Sequence, residues 1–386
     1  MHLKRKLLMA LTAAATILPA ACTMMEDSRE DCPEGLYVSF VYDYNIDRAD
    51  MFRDQVGALT LYVFDANDQI VLTQELQRPA SDLPIPTIYY QDDRRYQMHL
   101  TLPAGQYRLL ALAQQLPYNQ LISQSGAKFR RRNTSPATHT DVGIILDRSD
   151  TPDSLGHYEV PQQGIPLDTL WVGRLSGYSI PDTAMTTGRF ITDNNYLRVE
   201  DERPTFATVK MVRDMNELHV SLHSTNPADS VLSHNDYEVS ITNASGRIDW
   251  DNSVLHDDTL TYKPYASWTT RASDSTTLDI NEQAAHYDFT LPRLIYSPVA
   301  ADNAVMNIRN RATGHTIAQI NLTHLLSQGR THPQLTLYSP QEFLDREHRY
   351  HLDLVVIGSG DDERLNYLTL SISILGWSKR IQYEIL

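Results

Sequence analysis

The residues that most plainly invite chemistry end at a thiol: Leu18-Pro19-Ala20-Ala21-Cys22. Lys4, Arg5 and Lys6 open the chain, an apolar run from Leu7 to Leu18 follows, and two small residues precede the cysteine. That order is the layout of a bacterial lipoprotein signal. The apolar run is about 12 residues, short of the roughly 20 that a spanning helix needs. Cleavage before Cys22 leaves an acylated cysteine as the new N-terminus. Two or three acyl chains, at about 0.8 kcal/mol per buried CH2, then hold the body at a bilayer. One feature departs from the usual pattern: the position three residues before the cysteine is Pro19, and Leu18 lies one further back. Ordinary secretion, with Cys22 as an incidental thiol, is the competing reading.

No other stretch assembles a reaction. The chain has no Gly-x-Ser-x-Gly elbow, no P-loop and no His-Glu-x-x-His. Asp153-Ser154-Leu155-Gly156 resembles an esterase tetrad but sits in a segment without strand pattern. His348 and His351 straddle a helix-to-strand junction and read as surface or core histidines. Gly358-Ser359-Gly360-Asp361-Asp362-Glu363 has the oxygens Ca2+ takes but not the spacing of a known loop, and reads as a hairpin turn. His256-Asp257-Asp258 carries as little. Paired carboxylates for glycoside chemistry stay open, because their separation is invisible in a sequence. The reading is therefore no catalytic residue, no cofactor, no metal and no small-molecule substrate.

Composition narrows the partners. The formal net charge is −15, and loss of Lys4, Arg5 and Lys6 with an acid-free leader takes it to −18. Such a surface repels nucleic acid, whose binding rests on neutralising phosphates. Tyr (21) far outnumbers Phe (8), which suits half-exposed strands and contact surfaces. With only two cysteines, a lipidated Cys22 leaves Cys32 unpaired, so large cores rather than disulfides must stabilise the fold. No Cys/His zinc pattern can be built.

The elements that must carry these features read as strands. Leu36, Val38, Phe40 and Tyr42 alternate with Tyr37, Ser39, Val41 and Asp43. A short helical turn fits Ala49–Val56. Leu59–Phe64 is apolar on both faces, Asp65-Ala66-Asn67-Asp68 turns, and Ile70–Leu76 returns. Met98–Leu102 and Tyr107–Ala113 flank Pro103-Ala104-Gly105. Residues 123–168 lose the pattern, apart from Val142–Leu146. Arg130-Arg131-Arg132 within them reads as part of a solvated loop, with a protease site or an anionic contact as alternatives. Pattern returns at Leu170–Leu175. Asp201-Glu202-Arg203-Pro204 reads as a domain junction. Beyond it Leu218, Val220 and Leu222 face away from His219, Ser221 and His223. Ser339-Pro340-Gln341-Glu342 is a helix start, with an N-cap, Pro at the first position and Glu at the third.

The expectation is an all-β chain with few short helices, built as two transthyretin-like (Greek-key) β-sandwich domains in tandem. Residues 1–21 are a signal peptide and 22–34 a lipidated tether. Residues 35–200 form the first domain, with a long loop over 123–168, and residues 201–386 form the second. The acidic tether resembles the surface-export signals of Bacteroidetes lipoproteins, and a plain solvated linker is an equal reading. The exchangeable sheet edges are Arg380–Leu386 and Leu36–Tyr44, with ordinary intramolecular pairing weighed equally.

Several blocks carry a family likeness. Cys32-Pro33-Glu34-Gly35-Leu36-Tyr37-Val38-Ser39-Phe40-Val41-Tyr42-Asp43-Tyr44-Asn45 resembles the opening of the FimB-type fimbrial anchor lipoproteins of Bacteroidia. So do Ala49-Asp50-Met51-Phe52 with Val56 and Leu59–Asp65, and then Val212-Arg213-Asp214-Met215-Asn216 and Ile374-Leu375-Gly376-Trp377. The resemblance implies a non-enzymatic outer-membrane lipoprotein at the base of a fimbria. It would hold the shaft, take part in assembly and length control, and pair with the first shaft subunit by strand exchange. The rival readings are a glycan-binding surface lipoprotein, with Trp171, Trp250, Trp268 and Trp377 as platforms, and an accessory or tip subunit.

Overall fold

The computed structural model describes residues 34–77, 97–182, 185–191, 196–224, 232–270, 284–331, 335–374 and 377–384. In the first half, β1 (Gly35–Val41), α1 (Phe52–Gln55), β2 (Ala58–Phe64), β3 (Ile70–Gln77), β4 (Gln97–Leu100), β5 (Gly105–Gln114) and α2 (Tyr118–Ile122) follow in order. The Asp65 carboxylate accepts the Asn67 and Gln69 N–H groups at 2.8 and 3.0 Å, which makes the β2–β3 turn. Gly35 has φ +88°, and a Cβ there would meet the Leu100 carbonyl oxygen at 2.7 Å, so glycine is required where β1 and β4 meet.

Next come β6 (Phe129–Arg131), β7 (Gly143–Leu146), β8 (Tyr158–Glu159), β9 (Trp171–Asp182), β10 (Met185–Ile191), β11 (Tyr196–Val199) and β12 (Pro204–Arg213). The first sheet runs β3-β2-β5-β9-β12-β1-β4, with β10 on β9 and β11 on β5. β1 lies parallel to β12 and antiparallel to β4.

The second half holds β13 (Met215–Ser224), β14 (Tyr237–Asn243), β15 (Arg247–Asp249), β16 (Leu260–Tyr262), β17 (Ala266–Thr270), β18 (Ala284–Pro292), β19 (Val305–Asn310) and β20 (Thr316–Asn321). After them come α3 (Leu322–Ser327), α4 (Pro340–Arg346), β21 (Arg349–Ile357), β22 (Arg364–Ile374) and β23 (Trp377–Glu384). A six-stranded sheet, β17-β18-β13-β21-β22-β23, faces a five-stranded one, β20-β19-β14-β16-β8, across a shared core. α4 starts as its sequence dictates: Ser339 Oγ accepts the Glu342 N–H at 3.1 Å and Pro340 opens the helix. The all-β expectation with few short helices holds.

Two boundaries need correction. β12 pairs with β1 and β9, so the chain leaves the first sheet at Asp214, not at 200/201. Asp201–Pro204 is only the turn between β11 and β12, which is why its composition imitates a linker. The stretch 123–168 is not a patternless loop either. β6 and β7 join β15 in a three-stranded sheet, and β8 pairs with β16 in the five-stranded one. Its apolar side chains (Ala127, Phe129, Ile144, Leu146, Val160, Leu167) share one core with Tyr62, Phe64, Leu110 and Leu112 of the first sheet and with the second half. The opposite face of the first sheet has its own core, including Leu36, Val38, Phe40, Leu59, Leu61 and Trp171. β2 and β5 thus lie between two cores, which explains why their sequences are continuous apolar runs rather than alternations.

Candidate functional site

Cys22, Cys32 and all of the expected tether 22–34 except Glu34 lie outside the described residues, and Glu34 is the first described residue. Its carbonyl meets the His99 ring at 2.9 Å, so the tether would meet the body beside β1 and β4. Of the two edge candidates, one is corrected. β1 is flanked on both sides, by β12 and β4, because the parallel return of β12 closes it in. β23 is an edge strand: it pairs with β22 from Tyr367↔Glu384 to Ile374↔Trp377 and ends the sheet order. One row of its backbone groups is therefore open among the described strands, and an open row is a template for another strand. Lys379 and Arg380 lie on it, and charged residues on an edge limit indiscriminate pairing.

The three tryptophans with described side chains do not form a platform. Trp171 is fully buried, and Trp250 is half-buried against His139 at 4.5 Å with the Arg108 guanidinium 5.0 Å from its ring. Trp268 is 40% exposed and lies on β17. Trp377 is described only as backbone.

The remaining sequence candidates resolve into structural contacts. Arg130 pairs with Asp147 at 2.5 Å and Arg132 with Asp249 at 2.9 Å. Arg131 donates to Thr60 Oγ1 at 2.7 Å and covers the Tyr118 ring at 4.0 Å. Asp257 takes two hydrogen bonds from Arg148 at 2.9 and 2.5 Å. Asp153 folds its carboxylate onto the Leu155 and His157 N–H groups at 2.8 and 2.9 Å, so it is a turn residue. Glu363 accepts from Tyr237 Oη at 3.1 Å and Asn310 Nδ2 at 2.6 Å, at the end of the Gly358–Glu363 turn. His348 is buried and His351 half-exposed, so they do not share a site. No group of three metal-ligating side chains converges among the described residues.

Two polar assemblies escaped the sequence reading. At the crossing between sheets, Asp214 is wholly buried and its N–H reaches the Leu170 carbonyl at 2.8 Å. Arg293 lies 3.9 Å from the Asp214 carboxylate and holds Asp345 through two bonds of 2.8 Å. Burial pushes the Asp214 carboxyl up to about 7, with Arg293 opposing. Burial likewise raises Glu347 to about 7, against hydrogen bonds from the Arg349 and His348 N–H groups. His348 is held well below the ordinary histidine value, by burial first and then by Arg213. Only Arg213-Asp214 was visible as a motif, because its partners Asn252 and Arg293 come from other parts of the chain.

The second assembly lies on the outer face of the six-stranded sheet. His219, Ser221, His223, His286, Asp288, His351 and Asp353 share it with Trp268. The alternation His219-x-Ser221-x-His223 was legible; the register that adds His286 and His351 was not.

The fold defines a β-sandwich protein. Its six-stranded sheet ends in an open strand. The family model for Fimbrillin-A associated anchor proteins Mfa1 and Mfa2 matches residues 29–383, and the chain belongs to that family. The family is one of fimbria-associated structural proteins, in keeping with the resemblance read from the sequence. Among solved structures, a candidate adhesin from Bacteroides thetaiotaomicron is similar at 23% identity and TM-score 0.63, over 91% of this chain and 98% of that one. A candidate polysaccharide-binding protein from the same organism is similar at 24% identity and TM-score 0.60, over 91% and 99%. The fimbrial anchor protein Mfa2 from Porphyromonas gingivalis is similar at 15% identity and TM-score 0.52, over 90% and 99%. These three show a shared fold. No curated protein matched by sequence.

Proposed function

We propose that this chain is an outer-membrane lipoprotein that anchors a fimbria to the cell surface. Cys22 carries the lipid and residues 23–34 form the tether. β23 pairs with a strand of the first shaft subunit, and by occupying the shaft's base the anchor takes part in assembly and limits length. The observation that carries the reading is the open backbone row of β23 in a chain of the fimbrial anchor family. Sheet completion suits a mechanical joint because main-chain hydrogen bonds fix orientation while alternate side chains select the partner.

A photo-crosslinking residue at Arg380 or Gln382, with Gln74 on β3, an edge strand of the first sheet, as control, tests the joint in fimbriated cells. An adduct with the shaft subunit from β23 and none from β3 is expected. Adducts from β3 alone, or none from β23, would overturn the edge assignment.

A second reading, glycan binding, is favoured by Trp268, the one aromatic among the strongly exposed large apolar side chains described. Exposed indole faces suit sugar rings, since one side is apolar while the rim is polar. A glycan array with wild type and Trp268→Ala decides it: loss of a specific signal in the variant supports this reading, and no signal in wild type removes it.

A further inference from the structure

Three connections meet at the end of the second sandwich remote from the crossing at Asp214. β13 leaves that crossing and β21 runs parallel to it, so Ser224 and Ile357 lie about 30 Å along the sheet. There residues 232–236, the β19–β20 turn over 311–315 and the β21–β22 turn over 358–363 border a cleft of about 500 Å3. Small-molecule sites have this size, about 300–1,000 Å3.

Hydrogen bonds between the connections fix the walls. Glu363 accepts from Tyr237 Oη at 3.1 Å and from Asn310 Nδ2 at 2.6 Å, and its carbonyl meets the His315 ring at 3.1 Å. The Arg311 N–H donates to the Asp236 carbonyl at 2.8 Å, and Arg311 Nε donates to the Tyr237 carbonyl at 3.0 Å. Loops held this way at the end of a rigid sandwich are where binding surfaces are built.

The lining sorts the ligand. Val356 and Leu232 give an apolar floor. Asp236 and Glu363 bring carboxylates, while Arg311 and Asn235 bring donors. Asp236, Asn235 and Arg311 are exposed, and the fold uses only part of their capacity. The Nε bond takes one of five guanidinium donors, and one Asp236 oxygen accepts the Ser233 N–H at 3.0 Å. An anion here meets two carboxylates on a chain of net charge −15. A cation meets Arg311. An apolar ligand strips water from these groups and returns no hydrogen bond. A sugar suits all of them, because each hydroxyl both donates and accepts while the ring C–H groups rest on the apolar floor.

We propose that this cleft is a binding site for a neutral saccharide. Asp236 and Glu363 accept from its hydroxyls, and Arg311 and Asn235 donate to them. β17 contributes nothing to the lining, so the site is separate from Trp268. The inference rests neither on the anchoring role nor on the Trp268 reading.

Saturation-transfer NMR on the full mature chain tests it, with glucose, galactose, mannose, fucose, N-acetylglucosamine and their disaccharides, and with glucuronate as the anionic control. A neutral sugar is expected to bind where glucuronate does not. Ala312 is exposed on the rim, so Ala312→Trp fills the cleft without removing a hydrogen bond. Ala312→Trp, and independently Asp236→Asn, are expected to weaken binding about tenfold or more at an unchanged melting temperature. Trp268→Ala is expected to leave it within about twofold. No signal from any neutral sugar, an equal signal from glucuronate, full binding in either cleft variant, or loss in Trp268→Ala alone would overturn the assignment.

Discussion

Arg293 and Asp345 hold each other through two hydrogen bonds of 2.8 Å at the place where the chain crosses from the first sheet to the second. The same guanidinium donates to the Asn252 carbonyl at 2.5 Å and faces the buried Asp214. Burial works against the Arg293 charge, and Asp345 and Asp214 outweigh it. Removing one partner of such a buried set leaves a charge without compensation. Arg293→Ala is expected to lose about 3–5 kcal/mol in denaturant unfolding. A loss below about 1 kcal/mol would show the crossing to be solvated rather than buried.

The carboxyls at this crossing give pH a direction. Glu347 titrates near 7 in the fold and near the ordinary carboxyl value when unfolded. The fold therefore binds its proton more tightly between the two values. That stability is fully present below about pH 4 and is lost as pH rises through 7. Glu347→Gln keeps the acceptor for the His348 and Arg349 N–H groups, which lie at 3.0 and 2.9 Å. The variant is expected to be more stable by about 1–3 kcal/mol at pH 8 and unchanged at pH 4. Thermal melts at the two pH values decide it, and an equal gain or loss at both would contradict the assignment.

His348 works in the opposite sense. Its value is depressed in the fold, so its contribution is present above about pH 6.5 and lost as pH falls. Neither of its ring nitrogens has a hydrogen-bond partner among the described residues. His348→Phe removes both buried polar atoms, and its stability relative to wild type is expected to rise between pH 7 and pH 5. A urea titration at each pH measures this, and a flat difference would contradict it.

Strand existence was legible because period two survives on half-buried sheets. β1 and β13 lie where alternation put them. The insertion was not legible, since β6 and β8 have three and two residues and their partners come from other parts of the chain. Composition hid Phe129 among polar neighbours, yet it is a core residue. β12 was assigned to the wrong half because Asp201–Pro204 has the same residues as a linker. The junction charges and the histidine face depend on register, which no local pattern carries.

That shared core makes a prediction of its own. Phe129 is 2% exposed and packs in the core that joins the insertion to both halves. Phe129→Ala is expected to cost about 3–5 kcal/mol and to shift one cooperative transition. A separate low-stability transition confined to the insertion would contradict the single core.

In the proposed function a lipid on Cys22 fastens a fimbria to the cell. The most direct measurement is Cys22→Ala in the native host, with electron microscopy of cells and of spent medium. The account predicts bald cells and free fimbriae in the medium, longer than those of wild type. Fimbriae that stay attached at normal length would contradict it.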